Sequence, residues 1–177
     1  MTPFANLRDH ASLVACVMGA AYTLATAAGS GDNTLIVGST INRNSLVQNG
    51  LSTITNGLPR YVVFNVAYEA ILAAAATFTW KAVTIEHSSN GSDWSTYLSQ
   101  ASTPPPNGWP AAGVIDTGGS GGTTQRGVIK FGADLTGAKQ YIRFSGTPDL
   151  SAGATDTVKV MITAEFSAFA ELPPGVM

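Results

Sequence analysis

Residues 157–166, TVKVMITAEF, alternate with period two. Val158, Val160, Ile162, Ala164 and Phe166 fall on one side, and Thr157, Lys159, Thr163 and Glu165 on the other. Successive side chains of a strand point to opposite faces, so this pattern predicts a β-strand with one face in a core. A second stretch, residues 77–87, TFTWKAVTIEH, adds a deviation. Phe78, Trp80 and Ala82 share one parity, but beyond Ala82 the apolar set passes to Val83 and Ile85. A slip of one residue turns every later side chain to the other face unless an extra residue is absorbed locally. The sequence therefore predicts a bulge or sharp bend at Ala82-Val83.

Working outward, the same alternation recurs. Val62, Phe64, Val66 and Tyr68 share a face, as do Gly127, Ile129 and Phe131, and again Ile142 and Phe144, with Tyr141 and Arg143 opposite. Shorter apolar runs at 35–37, 94–98 and 114–115 also read as strands. Asn49-Gly50, Asn56-Gly57 and Asn90-Gly91 supply turns, the first of a type favoured in tight hairpins. The run 118–122, GGSGG, reads as a hairpin tip, and residues 103–110, with four prolines and Trp109, as a rigid surface loop. The Ala-rich segment 68–76 fits a helical turn or an extended connection. Long amphipathic helices do not alternate with the strands, which disfavours an α/β fold. The expected fold is all-β, a β-sandwich or jelly roll of about eight antiparallel strands with extended N- and C-terminal arms. The expected organisation is an N-terminal arm over 1–33, the sandwich domain over 34–170 and a tail over 171–177. Within the arm, Asp9 is placed to cap a short helix running through Leu13, Val14 and Val17.

The chain has 177 residues, of which 45% are hydrophobic but only 11% charged. An average globular domain has roughly 25% charged residues. The surface is therefore built mainly of Ser, Thr, Asn, Gly and Ala, and can be covered by a neighbour with little charge desolvation. Nine Lys and Arg residues and a net charge of −2 provide no basic stripe, so no nucleic-acid partner is expected. Residues 13–31 are uncharged, but they are too rich in Ala, Gly and Thr to read as a membrane span. The weak basic character before Ala25-Thr26-Ala27 argues against a signal peptide. The single cysteine, Cys16, reads as a small apolar side chain and permits neither an intrachain disulfide nor a cysteine metal site.

The residues of reaction chemistry are sparse. His10 and His87 are far apart in sequence and form no zinc-ligand spacing. There is no Gly-x-Ser-x-Gly elbow, and the 118–122 run lacks the Lys-Ser/Thr ending of a phosphate loop. Asn90, Ser92 and Asp93 could offer oxygens to calcium, but turn chemistry accounts for them more simply. No catalytic residue, metal or cofactor is expected, and the chain reads as a non-enzyme. Trp80 reads as core, whereas Trp94 and Trp109 lie near loops. Exposed side by side, those two would form a sugar-binding platform, which makes a carbohydrate-binding module the competing reading and a glycan the less favoured partner. Six apolar side chains on the arms and loops are candidates for burial by a neighbour: Phe4, Leu7, Trp94, Trp109, Phe169 and Leu172. Met177 is a seventh.

Residues 85–94, Ile85-Glu86-His87-Ser88-Ser89-Asn90-Gly91-Ser92-Asp93-Trp94, resemble a Glu-x-Ser-x-Asp-Gly-x-x-Trp/Phe hairpin common in small phage head proteins. Asn90 stands where those often carry Asp. Residues 139–144, Lys139-Gln140-Tyr141-Ile142-Arg143-Phe144, are similar to their Lys/Arg-Tyr-Ile/Val-Arg strand, and Leu7-Arg8-Asp9-His10 looks like their opening. The resemblance extends as a pattern over most of 60–172. It departs in the Ala-rich 1–33 arm and the 103–110 loop. It implies a β-sandwich or jelly-roll virion protein of a tailed bacteriophage: a capsid decoration or cement protein, often a homotrimer, seated on the major capsid protein at the capsid surface. A minor tail, spike or adaptor protein is the alternative placement within a virion.

Overall fold

A computed structural model describes residues 15–46, 58–151 and 155–169. Among these residues ten strands run in chain order: β1 (Ala15–Thr26), β2 (Ile36–Val37), β3 (Ile41–Asn42), β4 (Pro59–Leu72), β5 (Thr77–Ser88), β6 (Ser95–Ser99), β7 (Gly113–Thr117), β8 (Thr123–Asp134), β9 (Tyr141–Leu150) and β10 (Thr157–Phe169). One sheet has the order β1-β10-β4-β8. The other has the order β2-β9-β5-β6, with β3 also on β9 and β7 also on β5. All these strand pairs are antiparallel. The pairing is nested: β1 lies on β10, β2 and β3 on β9, β4 on β8, and β5 on β6 and β7. A long hairpin rolled up on itself gives this order, which is the jelly roll.

The expected inward faces form the core. Val62, Phe64, Val66, Phe78, Trp80, Val83, Ile85, Phe131, Ile142, Phe144, Val158, Val160, Ile162, Ala164 and Phe166 are all buried. Phe144 sits at the centre, its ring 5.0 Å from that of Phe64 and 5.4 Å from that of Phe131. The predicted bulge is present. Lys81 pairs with Thr147 and Thr84 with Ser145, so β5 takes three steps where β9 takes two. Ala82, at φ 54°, is exposed and absorbs the extra residue, which returns Val83 and Ile85 to the core.

Three local readings are corrected and one left open, at 68–76, is settled. Ala15–Thr26, assigned to the arm and in part to a helix, is a strand in the sheet, so the sandwich begins well before residue 34. Its backbone satisfies the edge of β10, from Ala15↔Phe166 to Thr26↔Thr157, and Val17, Tyr22, Thr23 and Thr26 are residues that favour strands. The Ala-rich 68–76 segment continues β4 to Leu72 and then turns, with Ala75 at φ 61°. Residues 118–122 are no hairpin tip. They carry the chain from β7 in one sheet to β8 in the other, and Gly118 exchanges hydrogen bonds with the Ala75–Ala76 corner: its N–H donates to Ala76 O (2.8 Å) and its O accepts from Ala75 N–H (3.1 Å). The 103–110 loop is not wholly on the surface, because Trp109 is 6% exposed and turns into the core. The hairpin expected at Asn49-Gly50, the turn at Asn56-Gly57 and the 171–177 tail lie outside the described residues.

Two tight spots fix the packing. Gly146 lies under Trp80, and a Cβ there would stand 2.7 Å from its ring. On one side the sandwich is closed by Gly38, whose N–H donates to Phe144 O (2.7 Å), and Ser39, whose N–H donates to Gly19 O (2.6 Å). A Cβ on Gly38 would meet both of those carbonyls, at 2.6 Å and 2.5 Å. Beneath the other end Arg43 is only 2% exposed and holds four main-chain carbonyls. One terminal nitrogen donates to Ala138 O (2.7 Å) and Lys139 O (3.0 Å), the other to Pro59 O (2.7 Å) and Leu135 O (3.1 Å). The start of β4 and the β8–β9 link are thereby tied to the turn after β3.

Candidate functional site

The two motifs that carry the resemblance are separate in sequence but meet in space. Antiparallel pairing of β5 with β9 sets Glu86 directly opposite Arg143. Arg143 Nε donates to Glu86 Oε2 at 2.7 Å, and its guanidinium lies 4.2 Å over the ring of Trp94 at the entry to β6. The turn that delivers Trp94 is organised by Asn90. Its side-chain oxygen accepts from the Ser92 and Asp93 N–H groups (both 2.9 Å), and its amide nitrogen donates to Asp93 Oδ2 (2.7 Å). Gly91, at φ 76°, allows the reversal. Glu86, Trp94 and Arg143 thus form a half-buried aromatic–cation–carboxylate stack. Such a stack stabilises by about 1–2 kcal/mol when partly desolvated. Arg143→Ala is expected to cost that much, with a coupling to Trp94→Ala of about 0.5–1 kcal/mol in a double-mutant cycle by urea denaturation. Strict additivity of the two substitutions would show that the ring and the guanidinium do not interact.

His87 follows on the same strand. Its Nδ1 accepts the Lys139 main-chain N–H (3.3 Å), and its ring packs 5.1 Å from that of Tyr97. Burial, with Lys139 nearby, holds the imidazole below its ordinary value of 6.5. The neutral ring is the form that folds, so its contribution is complete above pH 6.5 and is lost as pH falls through the lowered value. The urea midpoint should therefore decline between about pH 7 and pH 5. His87→Asn, which keeps an acceptor but does not titrate there, should flatten that decline. An unchanged slope would remove His87 as its source.

Of the residues expected to face a neighbour, Phe4, Leu7, Leu172 and Met177 lie outside the described residues. Phe169 ends β10, its backbone opposite Pro59. Trp94 is half-buried under Arg143. Trp109 is withdrawn from the surface: its Nε1 donates to Gly132 O (2.6 Å), and its ring meets Phe131 edge-on at 5.3 Å. The Trp94–Trp109 sugar platform is therefore not formed.

Sequence reading missed two surface features. The first is the outer face of the β1-β10-β4-β8 sheet. Register places Val128, Ala67 and Met161 in one row across β8, β4 and β10, with Val128 56% and Met161 39% exposed. In the adjacent row Arg126 and Lys159 share one carboxylate, with Arg126 Nε 2.7 Å and Lys159 Nζ 3.6 Å from Glu69, which leaves the row with one positive charge in excess. Three outward positions with small or apolar side chains were legible one strand at a time, but their alignment depends on register. The second is a groove of about 690 Å³ on the open side of the sandwich, between β8 and β6, walled by the Pro106–Gly108 part of the loop. Tyr61, Val63, Tyr97, Leu98 and Asp134 also line it.

Among the described residues no three His, Cys, Asp or Glu side chains converge in a metal-binding group, and no helix is long and apolar enough to cross a membrane.

No family model matches the sequence, and no curated protein matches it. Among solved structures the chain is similar to one in the structure of infectious bursal disease virus Gt strain, with 12% identity and a TM-score of 0.48 over 93% of this chain and 35% of that one. It is similar also to one in the Gx strain of that virus, with 9% identity and a TM-score of 0.45 over 93% and 35%. A third is in the VP2 subviral particle, with 13% identity and a TM-score of 0.42 over 92% and 34%. The chain spans about a third of the length of each of these.

Proposed function

We propose that this chain is a non-enzymatic structural protein of a bacteriophage virion, a decoration or cement protein that covers the outer surface of the head and strengthens contacts between capsid subunits. The observation that carries the reading is the outer face of the β1-β10-β4-β8 sheet. It offers the exposed Val128–Ala67–Met161 row beside a row in which two cations share the Glu69 carboxylate, an apolar strip with paired charges at its margin that a neighbour can cover. A shell protein acts through contact area, and a rigid sandwich filled by Phe64, Phe78, Trp80, Phe131, Phe144 and Phe166 suits that work. The paired Glu86-Trp94 and Arg143 motifs, which resemble those of small phage head proteins, support the same reading. The proposed partners are the major capsid protein and two further copies of this chain in a homotrimer.

The test is quantitative mass spectrometry of purified particles, joined to imaging of the same particles. The expected result is a copy number in fixed proportion to the major capsid protein, with density on the outside of the head. A few copies per particle would move the chain to the tail or a spike. Its absence from particles would overturn the virion reading.

A further inference from the structure

The Glu86–Arg143–Trp94 stack joins three groups: a carboxylate, a guanidinium and an aromatic face. The mouth of the groove between β8 and β6 repeats two of them. Tyr61 and Asp134 are directly opposite in the β4–β8 register and stand on the same outward face, with Tyr61 49% exposed. Trp109 Nε1 bonds to Gly132 O and Tyr97 Oη to Asp134 O (2.7 Å), while the Leu135 N–H turns back to Arg60 O (2.6 Å). The carbonyls of Gly132 and Asp134 therefore face away from β4, which makes Tyr61 and Asp134 a non-hydrogen-bonded pair, the closer of the two antiparallel spacings.

The Asp134 carboxylate is held in place on one side only. Its Oδ1 accepts the Thr136 N–H (2.8 Å) and the Thr136 hydroxyl (2.6 Å), and among the described residues none donates to Oδ2. Those bonds to Thr136 also keep the carboxyl below its ordinary range. Among the described residues no cation forms an ion pair with Asp134 within 4.0 Å; Arg60 acts on it only through the longer-range field. Behind this pair the groove is mostly apolar, walled by Val63, Leu98, Pro106 and Ala133. A sugar would present many hydroxyls to a surface with few free polar groups. An alkyl stem ending in a planar cation meets an apolar wall, an aromatic face and one carboxylate oxygen.

We propose that the groove at Tyr61 and Asp134 is a docking site for an arginine side chain presented by a partner protein, its guanidinium stacked on Tyr61 and paired with Asp134, its stem against Val63 and Pro106. The site does not depend on the virion reading, since it is defined by the chemistry of one side chain and can be tested without particles.

The experiment is a titration of the full ¹⁵N-labelled chain, followed by its amide spectrum, with N-acetyl-arginine methylamide. Its neutral isostere N-acetyl-citrulline methylamide and methyl mannoside are run in parallel. Saturable shifts are expected at Gly108, Gly132 and Thr136, with the citrulline probe bound about fivefold more weakly. Asp134→Asn should remove that preference, and Tyr61→Leu should weaken the arginine probe about threefold. The amide spectrum of each variant reports its fold directly. Equal binding of arginine and citrulline, retention of the preference in Asp134→Asn, stronger binding of the mannoside, or no saturable shift at these amides would each overturn the proposal.

Discussion

Replacing Arg43 with methionine is expected to destabilise the protein by about 3–5 kcal/mol, the range for removing one partner from a buried, hydrogen-bonded charge. Methionine can fill much of the volume but leaves the carbonyls of Pro59, Leu135, Ala138 and Lys139 without their donor. Each buried carbonyl so orphaned costs of the order of 1 kcal/mol or more, and the four lie on two segments, the start of β4 and the β8–β9 link, that this side chain ties to the turn after β3. Burial itself pulls the guanidinium pKa downward, yet arginine remains charged at any working pH. Its charge here is balanced by carbonyl dipoles, because the four acceptors are all main-chain oxygens. For a chain of this size the loss corresponds to a fall in Tm of about 10 °C. Arg43→Lys should recover less than half of it, because one ammonium cannot span the positions reached by two nitrogens of a planar fork. A Tm for Arg43→Met within about 2 °C of the parent would show that the four carbonyls find other donors.

The second large effect is expected at Gly146. Alanine there places its Cβ 2.7 Å from two ring carbons of Trp80 and 2.8 Å from its Nε1, and the indole is fully buried with no room to retreat. Overpacking of this kind costs about 1–3 kcal/mol. The Trp80 Nε1 is also buried without a hydrogen-bond partner. Trp80→Phe therefore loses packing area but discards an unsatisfied donor, and should cost less than an ordinary truncation in this core. Phenylalanine leaves vacant the side of the indole that Gly146 faces. Gly146→Ala in the Trp80→Phe background should then cost at least 1 kcal/mol less than in the parent, measured by urea denaturation of the four proteins in the cycle. Equal costs in both backgrounds would place the strain in the β9 backbone instead of in the ring contact.

How far the fold was legible depended on the amount of one-sided patterning in each segment. In β10 every second residue from Val158 to Phe166 is apolar, four of the five are larger than alanine, and the whole inward set is buried as read. In β5 the parity slip located the bulge at Ala82 because bulky residues flank it on both sides. In β1 and at 68–76 the signal failed for the same reason in reverse. Alanine and glycine are small enough for either face, so pairing with β10 and β8 decided those segments, and pairing is not local. Trp109 was misplaced because its proline-rich surroundings describe the path of the chain and say nothing about the gap beside Gly132 that the ring fills. The glycines at 118–122 marked a turn correctly but not its span between sheets. For the surface, the Glu86, Trp94 and Arg143 motifs were each visible, but their union needed the β5–β9 ladder. Tyr61 and Asp134 carried no signal at all until the β4–β8 register set them side by side.

The pairing of β1 with β10 has a consequence for the order of events in synthesis. The residues that Ala15–Thr26 must meet, from Thr157 to Phe166, leave the ribosome long after the first strand, once β2 to β9 have been made. Until then the first strand is an unpartnered, low-charge ribbon, and the β10 lane between it and β4 stands empty. Contacts between such distant parts of a chain make for slow assembly and a long-lived exposed edge, so a holding chaperone and a lowered growth temperature should raise the yield of this protein more than changes to its surface would.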